Sequence, residues 1–319
     1  MMKALVRHRY GGPGVVRVEE VAQPALEDDR VLVRVRASSL NKADWHQLRG
    51  RPRIMRPMMG GILRPKNPFI GTDFAGIAEA VGKEVTDIRP GEEVFGGRDG
   101  AFAEYVSAKS VVAKPAGVSF EDAATVPIAG LTALQGLRDH GQLEPGQRVL
   151  INGASGGVGS LAIQIAKALG GEVTAVVSTR NVELARDLGA DRVIDRLHED
   201  FTRADARYDL ILDVAGGHSW FALRRVLEPE GRLVVVGAHG SRSVLRHIAA
   251  IKLAALGSTH EVKFFIAKFH KEDLQTLADL LESGQLKPAI DRTYELAEAQ
   301  EALRTFGEGH VRGKLVLTI

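Results

Sequence analysis

Residues 151–171 read INGASGGVGSLAIQIAKALGG, in which an apolar run, a glycine-rich turn and a second apolar run follow one another without a spacer. This pattern predicts a strand, a tight turn and a helix. Small residues let the turn approach a pyrophosphate closely, and the first turn of the helix presents free N–H groups to it. We therefore predict a dinucleotide phosphate site formed by Gly153, Ser155, Gly156, Gly157, Val158 and Gly159.

From Arg148 onward, short apolar runs alternate with stretches of helical spacing. Unbroken apolar strands are typical of a parallel sheet covered by helices on both faces, so this region predicts a doubly wound α/β fold. The predicted strands are RVLING, EVTAVV, RVID, YDLILDVA, GRLVVVG and VKFFIA. The predicted helices are 157–169, 181–188, 218–227, 244–256 and 271–283. The first of them should carry one apolar stripe, formed by Val158, Leu161, Ala162, Ile165, Ala166 and Leu169.

The first 115 residues predict mainly short β-strands in a compact, barrel-like domain. The run VLVRVRASSL (31–40) alternates in its first half, and AGIAEAVG (75–82) is a strand of small residues. Ser119 is the predicted N-cap of the helical stretch that follows. The final run, GKLVLTI, has no strand–helix–strand partner nearby, so we expect it to return to the first domain.

The composition excludes several classes of protein. The 319 residues include no cysteine, which rules out disulfides and thiolate metal ligands. The net charge of +2 gives no general reason to expect nucleic acid or a membrane surface as a partner. The N-terminus reaches charged residues at once and no run of 18 apolar residues exists, so neither a signal peptide nor a membrane span is expected. We expect a cytoplasmic protein.

The residues after the strand EVTAVV indicate which dinucleotide is bound. Sites for NAD usually place Asp or Glu there, where the carboxylate accepts a hydrogen bond from the ribose 2′-hydroxyl. Here Ser178, Thr179 and Arg180 follow, and two hydroxyls with a guanidinium suit the 2′-phosphate of NADPH. The alternative is that Arg180 is a solvated residue at a helix start. Gly237, at the end of GRLVVVG, is added to the predicted cofactor site.

The sequence resembles the medium-chain dehydrogenase/reductases, in particular their zinc-free, NADPH-dependent quinone and enone reductases. The resemblance spans nearly the whole chain and is carried by MKALV, SSLNKADWHQLRG, GTDFAGIAEAVG, PGEEVFG, VPIAGLTAL, NGASGGVG, LGADRVID and RGKLVL. It implies a GroES-like, mainly-β catalytic domain at 1–118 and 264–319, interrupted by a Rossmann dinucleotide-binding domain at 119–263. It also implies that the first 118 residues close over the nicotinamide.

The resemblance also bears on metal binding. Zinc-dependent members carry a ligand cysteine where this chain has Asn41 and a ligand histidine where it has Thr72, so we expect no metal. A residual site built from Asp44, His46 and Asp73 is the alternative. Without a Lewis acid nothing obvious polarises a simple ketone, whereas a quinone or a conjugated enone is already electrophilic. Quinone or activated-alkene reduction is therefore favoured over alcohol oxidation.

Three residues are implied to lie near the nicotinamide. Asn41 is a candidate catalytic residue, and His46 is a candidate proton donor or hydrogen-bond donor to the acceptor oxygen. The alternative for His46 is simple packing beside Trp45. Thr132 matches a threonine that in relatives lies close to the cofactor, or else it bonds its own helix backbone. Asp44 is implied to be a buried hydrogen-bonding brace.

Two departures from the family pattern concern the edges of the site. Arg196 stands where relatives often carry a tyrosine, and it either adds a second positive contact to the 2′-phosphate or points away. The segment 51–68 resembles an inserted loop, with four prolines, three methionines and five basic residues. Methionines at the mouth of a site suit a broad apolar substrate, and a solvated loop is the alternative.

The predicted function is therefore an NADPH-dependent oxidoreductase that reduces a small, apolar, electrophilic quinone or α,β-unsaturated carbonyl without a metal. One alternative is a zinc-free alcohol or aldehyde reductase, and another is a weakly catalytic NADPH-binding sensor or structural protein. A homodimer is expected, because the apolar run VKFFIA (262–267) should form an edge strand that invites pairing with a copy of itself.

Overall fold

The computed structural model describes residues 1–53, 56–57, 61–237, 244–255 and 257–319. Two units result, each assembled from separated pieces of the chain. The first comprises Met1–Leu131, Phe269–Gly284 and Pro288–Ile319, and the second comprises Thr132–Lys268 and Gln285–Lys287. The domain boundaries predicted at residues 118 and 264 stay predictions.

The secondary structure alternates as the sequence predicts, with strands dominating the first 118 residues. The strands are β1 Met2–Arg7, β2 Val16–Val21, β3 Val31–Ser39, β4 Asp73–Val81, β5 Glu93–Gly97, β6 Tyr105–Ala108, β7 Val111–Ala113, β8 Arg148–Asn152, β9 Glu172–Val177, β10 Arg192–Asp195, β11 Tyr208–Asp213, β12 Leu227–Val235, β13 Glu261–Phe264, β14 Ile290–Glu295 and β15 Lys314–Thr318. The α-helices are α1 Lys42–Arg49, α2 Phe120–Thr125, α3 Pro127–Leu134, α4 Gly157–Ala168, α5 Val182–Asp187, α6 Trp220–Leu223, α7 Val244–Ala254, α8 Lys271–Glu282 and α9 Ala299–Glu308. Within the described ranges none of these helices is long and apolar enough to cross a membrane.

The last strand of the chain joins the sheet of the first unit, as predicted. β15 lies between β14, to which it is parallel, and β3, to which it is antiparallel. The strand order is β14-β15-β3-β4-β5-β7, and β6 also pairs with β3. On β3 the predicted alternation is confirmed, because Val31, Val33 and Val35 are buried against a cluster that includes Phe74. This unit is the mainly-β part of the fold.

The second unit contains six parallel strands in the order β10-β9-β8-β11-β12-β13. The chain enters at β8, runs outward to β10, then crosses to β11 and runs outward to β13. This is the strand order of doubly wound dinucleotide-binding folds, so the predicted fold class is confirmed. In such sheets ligands bind beyond the carboxyl ends of the strands at the point where the order reverses, here between β8 and β11.

Helix α4 is buried more completely than the sequence predicts. A single apolar stripe was expected, but every residue from Gly159 to Ala166 is buried, including Ile163 and Gln164, which lie outside that stripe. The buried amide of Gln164 is satisfied by the backbone of Lys287, to which its Nε2 donates at 3.0 Å and from whose N–H its Oε1 accepts at 2.7 Å. A polar residue on the helix therefore does not mark a solvated face when a loop covers it.

Most predicted helices are confirmed to within one residue at each end, namely 157–169, 181–188 and 271–283. The predicted helix 218–227 is wrong in length, because α6 ends at Leu223 and Arg224–Val226 form a 3-10 turn. Its extension is prevented because Leu227 already pairs with Tyr208 as the first residue of β12. The strand predicted at 262–267 ends at Phe264. In the helix predicted at 244–256, position 256 lies outside the described residues.

Candidate functional site

The glycines of the turn between β8 and α4 have different structural reasons. Gly153 has φ +88°, and a Cβ there would approach the Ala215 Cβ to 2.8 Å. A Cβ on Gly159 would lie 2.2 Å from the Gly153 carbonyl oxygen, so glycine allows the helix to pack on the turn. At Gly156 neither a positive φ nor close packing requires glycine, because its φ is −84° and a Cβ would meet nothing nearer than 3.8 Å among the described residues. Open space at Gly156 is what a backbone that approaches a ligand requires.

The start of α4 supplies the hydrogen-bond donors of this cradle. Gly156 is the N-cap and no side chain caps the helix. The first-turn N–H groups of Gly157, Val158 and Gly159 have no intrahelical acceptor by the geometry of a helix start, and they coincide with its positive dipole end. The turn therefore fits the pyrophosphate of a dinucleotide. Gly237 has its own structural reason, since a Cβ there would lie 2.3 Å from the Val214 carbonyl oxygen.

A buried asparagine connects the glycine turn to the end of β9. Nδ2 of Asn181 lies 2.9 Å from Ser155 Oγ and 3.2 Å from Ser178 Oγ, and the Asn181 side chain is buried. The structure thus brings together two of the predicted cofactor residues that are 23 positions apart. Sequence reasoning missed Asn181, because its burial depends on the tertiary packing of the 3-10 turn Thr179–Asn181.

An acidic residue from the next strand reaches the same corner. Asp195, at the end of β10, lies opposite Val177 of β9, and a hydrogen bond from the Thr179 hydroxyl is the main cause that lowers the pKa of its carboxyl. Asp195 also accepts from the N–H of Leu197 at 3.0 Å. An acid was expected only at the end of β9, whereas this carboxylate comes from the neighbouring strand β10. Arg180 and Arg196 are both exposed.

In the first unit, Asn41 is the N-cap of α1, and its side chain is held on all sides. Its Nδ2 donates to the Asp73 carboxylate at 2.9 Å and to the Ser39 carbonyl at 3.2 Å. Its Oδ1 accepts a hydrogen bond from the buried ammonium of Lys314. Both amide hydrogens are therefore used within the protein. The catalytic role predicted for Asn41 stays a prediction.

Asp44 is a buried brace, as expected. One carboxylate oxygen accepts from the backbone N–H of Asn41 at 2.8 Å and the other from the Thr72 hydroxyl at 2.7 Å. Burial is the main cause that raises the pKa of Asp44 to about 7, against the opposing hydrogen bond from Thr72. Burial likewise raises the pKa of Asp73 and lowers that of Lys314, which form an ion pair at 3.6 Å.

The residues at the two zinc-ligand positions do not fit zinc. Asn41 and Thr72 are bonded to Asp73 and Asp44, and the Lys314 ammonium already stands as the cation beside them. Among the described residues no group of three His, Cys, Asp or Glu side chains is arranged to hold a metal ion. Asp44, His46 and Asp73, the alternative site, do not form such a group in the described part of the chain. Lys314 was missed by sequence reasoning, although a charged residue opening an otherwise apolar final strand was the available signal.

His46 lies half-buried on α1, and burial with the nearby charge of Lys42 lowers its pKa. The imidazole is therefore mostly neutral at pH 7. Its neighbour Trp45 packs against Phe306, with ring centroids 6.2 Å apart. Thr132 belongs to the second unit, in α3.

The three methionines of the segment 51–68 lie outside the described residues. Within the described part of this segment, Arg56 donates to the Gly50 carbonyl at 2.9 Å and stacks on Tyr10, with 4.5 Å between the guanidinium carbon and the ring centroid.

The raised pKa of Asp44 predicts a pH dependence of stability. A carboxyl that binds its proton more tightly in the folded state stabilises the fold at low pH, and this contribution is lost as the pH rises from about 4 to about 7. Asp44→Asn removes the ionisation but keeps both hydrogen bonds, because the Thr72 hydroxyl rotates to accept from the new amide. As the pH rises, the free energy of unfolding of the variant should increase relative to that of the parent by a few kcal/mol, since each unit of pKa shift corresponds to about 1.4 kcal/mol.

Urea unfolding followed by circular dichroism between pH 4 and pH 8 measures this difference. Asp205→Asn, at an exposed aspartate, is the matched control and should follow the parent. Parallel stability profiles for Asp44→Asn and the parent would contradict the prediction.

The comparisons with known proteins agree with this geometry. Residues 27–116 match the family model described as "Alcohol dehydrogenase GroES-like domain", and residues 188–317 match "Zinc-binding dehydrogenase". The chain is 34% identical to "Quinone-oxidoreductase QR1, chloroplastic" of Triphysaria versicolor, over 99% of this chain and 98% of that protein. It is 30% identical to "NADPH-dependent alkenal/one oxidoreductase, chloroplastic" of Arabidopsis thaliana, over 99% and 79%.

Among solved structures, the quinone oxidoreductase from Coxiella burnetii superposes with a TM-score of 0.87 at 31% identity, covering 100% of this chain and 99% of that one. The agreement extends over both units, so it includes the interrupted first unit as well as the parallel sheet. The chain therefore belongs to the medium-chain dehydrogenase/reductase superfamily, and it is an oxidoreductase related to the quinone oxidoreductases.

Proposed function

We propose that the protein is an NADPH-dependent reductase of quinones or α,β-unsaturated carbonyl compounds that works without a metal. The observation that carries the proposal is that Asn41 and Thr72, at the two positions where zinc-dependent members hold their metal, belong to a buried hydrogen-bond network. Asn41 is bonded to Asp73 and Lys314, and Thr72 is bonded to Asp44. An ammonium that is already bonded inside the protein does not polarise a substrate carbonyl. The acceptor must therefore be electrophilic by itself, which suits a quinone or a conjugated enone. The names of the relatives support the same substrates.

A nicotinamide dinucleotide fits the second unit, and when bound it supplies a hydride. The open space at Gly156 and the uncapped start of α4 would hold the pyrophosphate. We propose that the hydroxyls of Ser155 and Ser178 and the guanidinium of Arg180 hold a 2′-phosphate, with Arg196 as a second cation. The Thr179 hydroxyl is directed to Asp195, so Thr179 would contribute through its backbone. Gly237 and Thr132 stay proposed cofactor residues.

His46 is proposed to act as a neutral hydrogen-bond donor to the acceptor oxygen. Its lowered pKa makes an imidazolium scarce at pH 7, so its contribution is an oriented N–H rather than a strong acid. Asn41 is proposed to act by shape, since its amide hydrogens are used by Ser39 and Asp73. The cytoplasmic location stays a prediction.

A substrate panel tests the proposed function. Oxidation of NADPH is followed at 340 nm with quinones, enones and simple aldehydes, before and after dialysis against EDTA. Quinones or enones should be reduced at least about a hundredfold faster than aldehydes in kcat/KM, since about 2.7 kcal/mol of carbonyl activation has to come from the substrate itself. Dialysis should change no rate.

Three outcomes would contradict the proposal: preference for aldehydes, loss of activity on chelation, and binding of NADPH without reduction of any substrate class.

His46→Phe in the same assay should lower kcat and kcat/KM together by about a hundredfold for an enone and by less for a quinone. Unchanged rates would reduce His46 to a packing residue.

Cofactor preference depends on Arg180. A charge-assisted bond from an exposed guanidinium contributes about 1.4 kcal/mol, so Arg180→Ala should weaken NADPH binding about tenfold. NADH has no 2′-phosphate, and its affinity should change by less than about twofold. Titration calorimetry with both cofactors measures this. Equal affinity of the parent protein for NADPH and NADH would refute the assignment.

A homodimer is proposed from the free edge of the parallel sheet. β13 ends the sheet as described, with Val262 and Phe264 half-buried and Ile266, just beyond, 76% exposed. Light scattering at micromolar concentration should give twice the chain mass of 34.4 kDa. Ile266→Asp should shift the protein toward monomer, whereas Leu197→Asp, at an apolar residue that is also exposed and follows the opposite edge strand, should not. A monomeric parent protein would remove the proposal.

A further inference from the structure

We propose that Asn181 is a positioning residue for cofactor specificity, which aims the hydroxyl hydrogens of Ser155 and Ser178 outward as donors to a 2′-phosphate. This inference rests on the proposed use of NADPH at this corner of the second unit. It assigns a role to a side chain that itself is buried and reaches the ligand only through the two serines.

The chemistry of the amide fixes the direction of the hydrogen bonds between Asn181 and the two serines. An amide nitrogen carries two hydrogens and no acceptor, so Nδ2 of Asn181 donates one to each serine oxygen, at 2.9 Å to Ser155 and 3.2 Å to Ser178. Each serine oxygen is therefore the acceptor in its contact with Asn181. Its own hydrogen has to point elsewhere, because a hydroxyl has a single hydrogen.

These hydroxyl hydrogens of Ser155 and Ser178 have no acceptor in the part of the chain that the structure describes. Both serines are half-buried, so their outer side remains accessible. Two hydroxyl donors that belong to the glycine turn and to the end of β9 then present hydrogens from two sides. A phosphate oxygen accepts such hydrogens, whereas a ribose 2′-hydroxyl matches them less well because it also has a hydrogen to donate.

Thr179, in the same turn as Asn181, has a partner of the opposite kind. The neighbouring Thr179 hydroxyl gives its hydrogen to the Asp195 carboxylate, so an acidic partner withdraws the donor from the ligand. The amide of Asn181 has the opposite effect on Ser178, since it supplies hydrogens. The hydroxyl hydrogens of Ser178 and Thr179 are thus oriented differently, because one hydroxyl accepts from its partner and the other donates to its partner.

The amide of Asn181 is held in this orientation. Its backbone N–H donates to the Ser178 carbonyl at 2.8 Å, which fixes the turn. The side-chain Oδ1 is buried and has no partner among the described residues. Turning the amide over would place this oxygen against the serines and leave two buried N–H groups unpaired instead of one oxygen, so the observed orientation is the less costly one.

The test compares two adenosine fragments, 2′,5′-ADP and 5′-AMP, which differ by the 2′-phosphate. Asn181→Leu removes both donors at similar volume and adds no charge. We expect its calorimetric Kd for 2′,5′-ADP to rise about three- to tenfold, with less than about a twofold change for 5′-AMP. Asn181→Asp reverses the hydrogen bonds and adds a negative charge, so the loss for 2′,5′-ADP should exceed tenfold.

A background without the two hydroxyls shows whether Asn181 acts through them. In the Ser155→Ala/Ser178→Ala protein, Asn181→Leu should cause no further loss of 2′,5′-ADP affinity. Gln164→Leu, at a buried amide elsewhere in the same unit, is the matched control and should leave the ratio of the two affinities unchanged. Thermal unfolding of each variant identifies those that fail to fold. If Asn181→Leu fails to fold, Asn181→Asp provides a second measurement of the ratio of the affinities for 2′,5′-ADP and 5′-AMP.

The outcomes separate the inference from the proposed function. An unchanged ratio in both Asn181 variants, while the parent prefers 2′,5′-ADP and Arg180→Ala loses that preference, overturns the positioning role alone. Equal loss for the two fragments also overturns it, because a merely structural side chain would weaken both. A parent protein without any preference for 2′,5′-ADP overturns both the NADPH assignment and the inference.

Discussion

The buried contact of Lys314 with Asn41 and Asp73 is the interaction on which the first unit depends. An ammonium removed from water costs several kcal/mol unless charges and hydrogen bonds replace its hydration. Here the replacement comes from two side chains that are distant in sequence, Asn41 at the start of α1 and Asp73 at the start of β4. Because Lys314 opens the last strand, β15 has to pair with β3 in one register to satisfy it. The C-terminal strand is thereby fixed to the N-terminal half.

The same network determines the chemistry that the unit offers. Asp73 also accepts the backbone N–H of Ile128 at 2.9 Å, so it connects α3 to the cluster. Every polar group of Asn41 is engaged, and Thr72 is engaged by Asp44. The side chains at the two zinc-ligand positions, Asn41 and Thr72, are therefore already engaged in hydrogen bonds within the protein. Such an arrangement holds shape without activating a carbonyl, and this is why an acceptor that is electrophilic by itself is the consistent substrate class.

What the sequence alone predicted well depends on short-range pattern. The alternation of β3, the glycine turn before α4 and the helix limits of α4 and α8 are set by neighbours a few residues away. The contacts of Lys314 and Asn181 were not predicted, because the first spans 273 residues and the second depends on how the turn Thr179–Asn181 packs. The length of α6 was wrong because strand pairing at Leu227 overrides helical spacing. Asp195 was overlooked because parallel pairing, not sequence distance from the glycine turn, brings it beside Thr179.

Two of the buried asparagines, Asn41 and Asn181, show that the same side chain can have opposite effects on its surroundings. Asn41 donates both amide hydrogens to acceptors that are themselves fixed, a backbone carbonyl and a carboxylate. Its amide oxygen accepts a hydrogen bond from the Lys314 ammonium. These partners of Asn41 do not pass a hydrogen-bond direction on to further groups, so the effect of Asn41 is limited to making the network rigid. Asn181 gives its hydrogens to hydroxyls, which are donors as well as acceptors, and a hydroxyl that accepts on one side donates on the other. The direction imposed by a buried amide is thus carried outward to the surface. The chemistry of the partner, and not that of the asparagine, decides whether a buried amide only holds the fold or also prepares a binding site.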